Sequence, residues 1–392
     1  PYMRGRMNDG ASYADPAALG EPMTGESVGI VVESESDKFM KGDYLCVHKG
    51  WQTYIIANDE EPALFKADPS IVPLQTYLGT VGMPGRTAYF GLLRVGLPKS
   101  GETIVVSAAS GAVGTVVGQM GKILGCRVVG VAGGEKKCSY VKDELGFDEC
   151  IDYKAGNIQE DLAKACPDGI DIYFENVGGP VSKAVATLLN EGSRVPICGF
   201  ISAYNSEDMT KEETPFHIFG AVDPAPEHRF FVVTEWFKEW REATEELSQW
   251  ISEGKIKYEE TITEGFENAP QGLRDVLSGK NFGKQLIKVA EAEGRSFSES
   301  KAILNLAYSV GTQGSNIGNI VENDLLLRAS RAKIQEIEDA RLKKVDDLAK
   351  VKRTETVFAA KAVISQKLEG VSGEALIGLD IEDVFPSADS AA

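Results

Sequence analysis

Glycines near position 110 are the residues of this chain best suited to hold a phosphate. The β-branched run from Ile104 to Val106 is followed by glycines at 111, 114 and 118. A helical pattern and a second β-branched run, Arg127 to Val131, come next. This order is typical of the first βαβ unit of a dinucleotide-binding sheet, in which backbone N–H groups contact the pyrophosphate. Alternatively, the small residues only let the helix pack closely on the strand. The turn residues expected at the cofactor are Ala109, Gly111, Ala112, Val113 and Gly114.

The second β-branched run ends without the carboxylate that commonly binds the ribose 2′-hydroxyl of NAD. The first acid after it is Glu135, and Lys136 and Lys137 follow at once. A 2′-phosphate is dianionic, so an ammonium group attracts it and a carboxylate repels it. The sequence therefore favours NADPH over NADH. The alternative is that both lysines are solvated residues at the start of a helix.

Buried strands alternate with helical patterns between residues 83 and about 253. This alternation predicts an α/β fold with a parallel sheet that helices cover on both faces. Residues 1–82 contain short β-type runs, and residues 254–291 contain short strands around one helix, so these two segments predict a smaller β-rich domain. The strands expected in the parallel sheet are 103–107, 127–131, 149–152, 171–175, 193–198 and 230–234.

The segment from about 296 to 392 has a different character. Apolar residues between 320 and 352, such as Leu327, Ile334 and Ile337, are spaced as on an amphipathic helix. A second helical pattern covers about 354–368. Nothing in the segment indicates chemistry. We expect a helical appendage that docks on the body of the protein or on a partner.

Composition narrows the partners and the location of the protein. The net charge of -18 argues against nucleic acid and anionic membranes, because phosphate binding needs clustered Lys and Arg. The 6 cysteines form no Cys-x-x-Cys pair and the 3 histidines lack zinc-ligand spacing, so we expect no metal. Scattered thiols indicate a reducing cytoplasm. No run of 18 apolar residues and no signal peptide are visible, although the chain begins at Pro1 without a methionine.

Six motifs, in this order, resemble the zinc-independent medium-chain dehydrogenases/reductases, and within them the curcumin reductase and prostaglandin reductase group. The resemblance covers residues 1 to about 291. It implies a Rossmann-type doubly wound sheet at 83–253 and a partial GroES-like domain from 1–82 and 254–291. The motifs are Pro1-Tyr-Met-Arg-Gly-Arg-Met7, Gly82-Met-Pro-Gly-Arg-Thr-Ala-Tyr89, the turn from Ala108 to Gln119, Asp171-Ile-Tyr-Phe-Glu-Asn-Val-Gly-Gly179, Cys198-Gly-Phe-Ile-Ser-Ala-Tyr-Asn205 and Gly279-Lys-Asn-Phe-Gly-Lys284.

The resemblance also implies roles for single residues. Gly111 and Gly114 match positions against the pyrophosphate, and Lys137 and Tyr153 match contacts of the 2′-phosphate. The positions that line the rest of the cofactor are Asn176, Cys198 and Asn281. Tyr204 matches a tyrosine beside the nicotinamide, and Tyr2 matches a second tyrosine of the substrate pocket.

The implied reaction is NADPH-dependent reduction of the carbon–carbon double bond in α,β-unsaturated ketones and aldehydes. Hydride adds to the β-carbon, and negative charge develops on the carbonyl oxygen. The Tyr204 hydroxyl could stabilise that charge by donating a hydrogen bond. The α-carbon then takes a proton from tyrosine or water.

Three features depart from the family pattern. About forty residues that normally precede the first motif are absent, Thr214 to Arg229 differs from the family's connection, and 296–392 has no counterpart. Phe230 stands where relatives usually carry glycine, in a strand that pairs across their dimer interface. The family resemblance implies a homodimer, and Phe230 departs from the pattern at that interface. Two alternatives stay open: a quinone oxidoreductase of the same superfamily, and an NADPH-binding protein whose helical tail binds partners.

Overall fold

A computed structural model of the chain describes residues 2–7, 15–206 and 211–289. All helices and strands in these ranges belong to one compact unit. The strands are β1 Ser27–Ile30, β2 Tyr44–Val47, β3 Phe65–Ala67, β4 Thr103–Ser107, β5 Arg127–Ala132, β6 Glu149–Asp152, β7 Ile170–Phe174, β8 Leu189–Ile197, β9 Glu227–Phe230, β10 Glu260–Glu264 and β11 Lys284–Lys288. The α-helices are α1 Met83–Phe90, α2 Gly114–Ile123, α3 Glu135–Ser139, α4 Ile158–Ala165, α5 Gly179–Ala186, α6 Pro215–Gly220, α7 Trp240–Ser252 and α8 Ala269–Leu277.

A six-stranded parallel sheet forms the centre of the fold, in the order β6-β5-β4-β7-β8-β9. Its central strand β4 is buried at all five positions. Ile104 and Val106 belong to one apolar cluster, whereas Val105 between them belongs to another. Because successive side chains of a strand point to opposite faces, both faces of the sheet are covered. The predicted α/β fold with a doubly wound parallel sheet is confirmed.

Helix α2 lies close to the sheet because its inner face is built from glycine. A Cβ built at Gly118 would lie 1.8 Å from Cζ of Phe147, and one at Gly121 would lie 2.8 Å from Cγ2 of Val128. Neither position has space for a side chain. Close packing therefore accounts for the glycines at 118 and 121. It does not exclude a role in cofactor binding for the turn that precedes the helix.

Two smaller sheets lie outside the central one. Strands β1, β2 and β3 form an antiparallel sheet, and β10 pairs with β11 in parallel on either side of α8 in sequence. These two sheets agree with the short strands predicted within residues 1–82 and 254–291. The boundaries of the two predicted domains stay predictions.

Two predicted strands are wrong in their bounds. The strand expected at 193–198 is β8, which begins earlier, at Leu189. The strand expected at 230–234 is β9, which ends at Phe230, and a 3-10 helix covers Val233–Glu239. The Glu235 carboxylate accepts a hydrogen bond from the Val232 N–H at 2.8 Å, and the Trp240 indole donates to the Val233 carbonyl at 2.9 Å. These local bonds turn the chain away from the sheet. The helices predicted beyond residue 296 lie outside the described residues.

Candidate cofactor and active site

The turn after β4 presents backbone to the carboxyl edge of the sheet. Ala108 adopts a left-handed conformation at φ 50°, and the Gly111 N–H then donates to the Ala108 carbonyl at 2.9 Å. A Cβ at Gly114 would lie 2.4 Å from that same carbonyl oxygen, so only glycine fits there. The first turn of α2 is bonded to this loop: the Thr115 N–H donates to the Gly111 carbonyl at 3.0 Å, and the Val117 N–H donates to the Val113 carbonyl at 3.0 Å. The positive end of the helix dipole therefore points at the glycine turn, which suits an anion.

The five predicted turn residues have different surroundings. Gly111, Ala112 and Val113 are partly exposed, whereas Ala109 and Gly114 are buried. The Ala109 side chain faces the sheet, where it would contact a Cβ built at Gly130. Ala109 and Gly114 therefore shape the turn, and Gly111, Ala112 and Val113 form the surface that a pyrophosphate can reach.

A second loop closes on this turn from a distant part of the chain. The Gly283 N–H donates to the Ser110 carbonyl at 3.1 Å, and Gly111 and Gly283 form a parallel bridge. The Asn281 side chain donates to the Gly283 carbonyl at 2.8 Å, which holds it beside the turn. Gly283 has a φ of 60°, and a Cβ there would lie 1.8 Å from the Glu259 carbonyl oxygen, so glycine is required.

The predicted 2′-phosphate residues lie at the carboxyl ends of β5 and β6. The Lys137 ammonium donates to the Gly279 carbonyl at 2.8 Å. Burial lowers the pKa of Lys137, and the nearby Lys154 lowers that pKa further. Tyr153 is 48% exposed, and the Lys154 ammonium lies 5.8 Å from the centre of its ring. Two cations and a phenol therefore share one partly exposed corner, which suits a dianionic phosphate.

Lys154 was missed as a site residue in the sequence. It directly follows Tyr153 at the end of β6, and that adjacency was the available signal. The acid beside it is already engaged: the Asp152 carboxylate accepts hydrogen bonds from the N–H groups of Gly134 at 2.8 Å and Lys154 at 3.0 Å. Asp152 therefore holds the loop after β5 in place.

On the other side of β4, the carboxyl edge of the central sheet is formed by the ends of β7 and β8. The Asn176 amide donates to the Ser107 carbonyl at 2.8 Å, and the Asn176 backbone N–H donates to the Ser107 hydroxyl at 2.8 Å. Cys198 is partly exposed, and burial of its sulfur raises the pKa of the thiol to about 12. A thiol with that pKa is neutral at pH 7.

The two predicted catalytic tyrosines lie on neighbouring segments. A Cβ built at Gly199, which follows Cys198, would lie 2.5 Å from the Tyr204 hydroxyl, and the Tyr204 ring meets Phe200 edge to face at 5.8 Å. Tyr2 begins a short 3-10 helix, Tyr2–Met7. The Arg4 guanidinium in that helix donates to the Asn205 side chain at 3.2 Å, which joins the helix to the Tyr204 loop.

A cavity of about 570 Å³ adjoins this loop. Asn205 and Arg4 form one part of its wall, and α8 forms another part through Leu273 and Leu277. Met7, Met23 and Trp51 add apolar surface. The cavity therefore combines polar side chains with apolar ones, and Asn205 in its wall is the residue after Tyr204.

Metal-ligating side chains are scattered in the part of the chain that the structure describes. Within 2–7, 15–206 and 211–289, no group of three His, Cys, Asp or Glu residues is placed to hold a metal ion. No helix of these ranges is long and apolar enough to cross a bilayer.

Comparisons with known proteins cover most of the described residues. Residues 1–65 match the family described as the N-terminal domain of oxidoreductase, and residues 112–249 match the family described as zinc-binding dehydrogenase. The NADPH-dependent curcumin reductase of Escherichia coli is 47% identical over 293 residues, which are 74% of this chain and 84% of the relative. The NADP(+)-dependent 2-alkenal reductase of Nicotiana tabacum is 42% identical over 295 residues, covering 74% of this chain and 84% of the relative.

A solved structure is also similar. The crystal structure of CurA from Vibrio vulnificus in complex with NADPH superposes with a TM-score of 0.69 at 45% identity. The superposition covers 74% of this chain and 86% of that one.

Proposed function

Because this chain belongs to the medium-chain dehydrogenase/reductase family, within the group of curcumin and 2-alkenal reductases, we propose that it reduces the carbon–carbon double bond of α,β-unsaturated ketones and aldehydes with NADPH. One observation carries the proposal: a single edge of the sheet holds a phosphate corner at Lys137 and Lys154, a backbone turn at Gly111, and a hydroxyl donor at Tyr204. The strand order places these features in the sequence in which a dinucleotide would meet them, from the adenosine phosphate to the nicotinamide.

The residues present suit NADPH as the cofactor. The partly exposed backbone of turn residues 111–113 can lie against the pyrophosphate at the positive end of α2, and Lys137, Tyr153 and Lys154 can hold the 2′-phosphate. Asn176, Cys198 and Asn281 would line the rest of the cofactor. NADPH supplies the hydride.

Tyr204 acts on the substrate in this proposal. When hydride adds to the β-carbon, electron density moves to the carbonyl oxygen of the enone. A hydroxyl that donates a hydrogen bond to this oxygen stabilises the developing charge. Phenols titrate near pH 10 in water, so a tyrosine is a donor at neutral pH. Tyr2 is proposed as a second pocket residue, because its helix is joined to the Tyr204 loop.

The cavity beside Asn205 is the proposed place for the body of the substrate. Its apolar walls at Leu273 and Trp51 suit an aliphatic or aromatic enone, with the carbonyl directed toward its polar side chains. We assign residues 83–253 to cofactor binding and residues 1–82 with 254–291 to substrate binding.

Assembly and location are part of the same proposal. Strand β9 is at an edge of the central sheet, which supports a homodimer in which two such edges meet. All six cysteines are free thiols, which supports a reducing, cytoplasmic environment.

The test is NADPH consumption with a panel of enones, enals and quinones, using the full chain and Tyr204→Phe. We expect the wild-type protein to reduce enones with NADPH much faster than with NADH. Tyr204→Phe should lower kcat by about 100-fold and leave the NADPH Kd within about twofold. Tyr44→Phe, on β2, is the matched control and should leave kcat unchanged.

Two results would refute the proposed function and favour a different one. Faster turnover of quinones than of enones would indicate a quinone oxidoreductase. Tight NADPH binding without turnover of any substrate would indicate a binding protein, and removal of residues 296–392 would then test the tail for partner binding.

A further inference from the structure

Glu175 is a fully buried carboxylate directly before Asn176, at the carboxyl end of β7. Five donors surround it. Oε1 accepts hydrogen bonds from Val177 N–H at 2.8 Å, Gly178 N–H at 2.9 Å, the Tyr173 hydroxyl at 2.9 Å and the Ser107 hydroxyl at 3.3 Å, and Oε2 accepts one from the Ser182 hydroxyl. The reaction proposed above uses no chemistry of this group.

The charge of Glu175 is balanced by dipoles and not by a cation. Among the described residues, no Lys or Arg side chain lies within ion-pair distance of its carboxylate. Burial raises the pKa of Glu175, and the surrounding donors limit that rise. Backbone N–H groups can only donate, so the side of the carboxyl that faces Val177 and Gly178 is suited to an anion. A buried anion that no cation neutralises interacts strongly with nearby charges, because the protein interior has a low dielectric constant.

The position of Glu175 points to what its charge acts on. Strands β5 and β6 carry the phosphate corner on one side of β4, and β7 and β8 lie on the other side. A dinucleotide that crosses the turn after β4 therefore brings its nicotinamide to the ends of β7 and β8. The Glu175 carbonyl accepts hydrogen bonds from Cys198 N–H at 2.9 Å and Gly199 N–H at 3.2 Å. The carboxylate is joined to the Asn176 backbone through the Ser107 hydroxyl, which accepts from the Asn176 N–H at 2.8 Å and donates to Oε1 at 3.3 Å. The backbone of Glu175 thus supports the Cys198–Gly199 segment, and its carboxylate lies next to the loop that begins at Asn176.

We propose that Glu175 stabilises the positively charged ring of NADP⁺ relative to the neutral ring of NADPH. The inference rests on the proposed function, because it needs a nicotinamide at this end of the site. A ring that loses hydride gains one positive charge, and a fixed buried anion favours that state. Glu175 therefore biases the cofactor toward giving up its hydride without touching the substrate.

The test compares the Kd of NADP⁺ and of NADPH by isothermal titration calorimetry at pH 7. Glu175→Gln keeps the shape and removes the charge, and its amide can donate to the Ser182 hydroxyl. We expect NADP⁺ to bind about threefold to tenfold more weakly to this variant, while NADPH changes by less than about twofold. A merely structural role would weaken both nucleotides together.

Ser182→Ala and Tyr173→Phe are matched variants that remove one donor and keep the charge. In both, we expect the preference for NADP⁺ over NADPH to equal or exceed that of the wild-type protein. These two variants also provide the test if Glu175→Gln does not fold.

Two results would overturn the inference: a folded Glu175→Gln with an unchanged ratio of the two Kd values, or a loss of NADP⁺ preference in both donor variants. Failure of the wild-type protein to bind either nucleotide is a different result, because it would refute the proposed function itself.

Discussion

Removal of the Lys137 ammonium tests the assignment of the phosphate corner. In Lys137→Ala, NADPH loses one charge-assisted hydrogen bond to its 2′-phosphate, and such bonds contribute about 1.5–3 kcal/mol. Each 1.4 kcal/mol is about a factor of ten in Kd, so the NADPH Kd should rise about 10- to 100-fold. Lys154 remains at the corner, which places the expected loss toward the lower end of that range.

NADH separates the phosphate contact from a structural effect. Lys137 also donates to the Gly279 carbonyl, so its loss could loosen the loop that closes on the turn. That effect would weaken both nucleotides, whereas loss of the phosphate contact weakens NADPH alone. We expect the NADH Kd to change by less than about twofold, measured by fluorescence titration of both nucleotides.

Lys142→Ala is the matched control for this experiment. Lys142 lies five residues further along the same helical segment, and its ammonium pairs with the Glu149 carboxylate at 2.9 Å. Its removal should leave both Kd values unchanged. An equal loss of NADPH and NADH in Lys137→Ala would refute the reasoning, as would an NADPH Kd that does not move.

Three further outcomes follow from the geometry. Because the pKa of Lys137 is depressed, its charge is complete below that pKa and disappears as the pH rises through it; NADPH preference over NADH should therefore fall with alkaline pH, and Lys137→Arg should retain it at pH 10 in the same titration. Gly118→Ala should destabilise the protein by about 1–3 kcal/mol in urea unfolding, because the new methyl meets Phe147, and Gly118→Ala with Phe147→Ala should be more stable than the sum of the two single changes predicts. Gly283→Ala should weaken NADPH and NADH alike, because it displaces the loop that holds Asn281; a loss confined to NADPH would contradict this account.

Much of the central sheet was predictable from local sequence. The strands at Ile104, Val129 and Ile172 are buried on both faces, so they are mostly apolar, and each ends at or is followed by a glycine or a polar residue. The end of β9 was not predictable in this way. Phe230 to Thr234 is β-branched and aromatic, but the Glu235 carboxylate and the Trp240 indole bind its backbone and stop the strand.

The candidate site was predictable in part. The glycine turn has a local signature, so Gly111 and Gly114 could be placed from sequence. Glu175 could not be given a role, because its importance depends on neighbours that are distant in the chain, whereas Lys154 was indicated only by its position directly after Tyr153. The anion at Glu175 acquires its partners from β4, β7 and α5, through Ser107, Tyr173 and Ser182.

The bridge between Gly111 and Gly283 makes the nucleotide cradle depend on both halves of the polypeptide. Lys137 and Gly279 are 142 positions apart, yet they meet at the phosphate corner. During translation, the sheet can form before the loop that contains Gly283 has left the ribosome. At that stage the nascent protein has the glycine turn after β4 but not the complete nucleotide-binding site. The complete nucleotide site can therefore form only after residue 283 has left the ribosome, so full binding of the cofactor follows formation of the sheet.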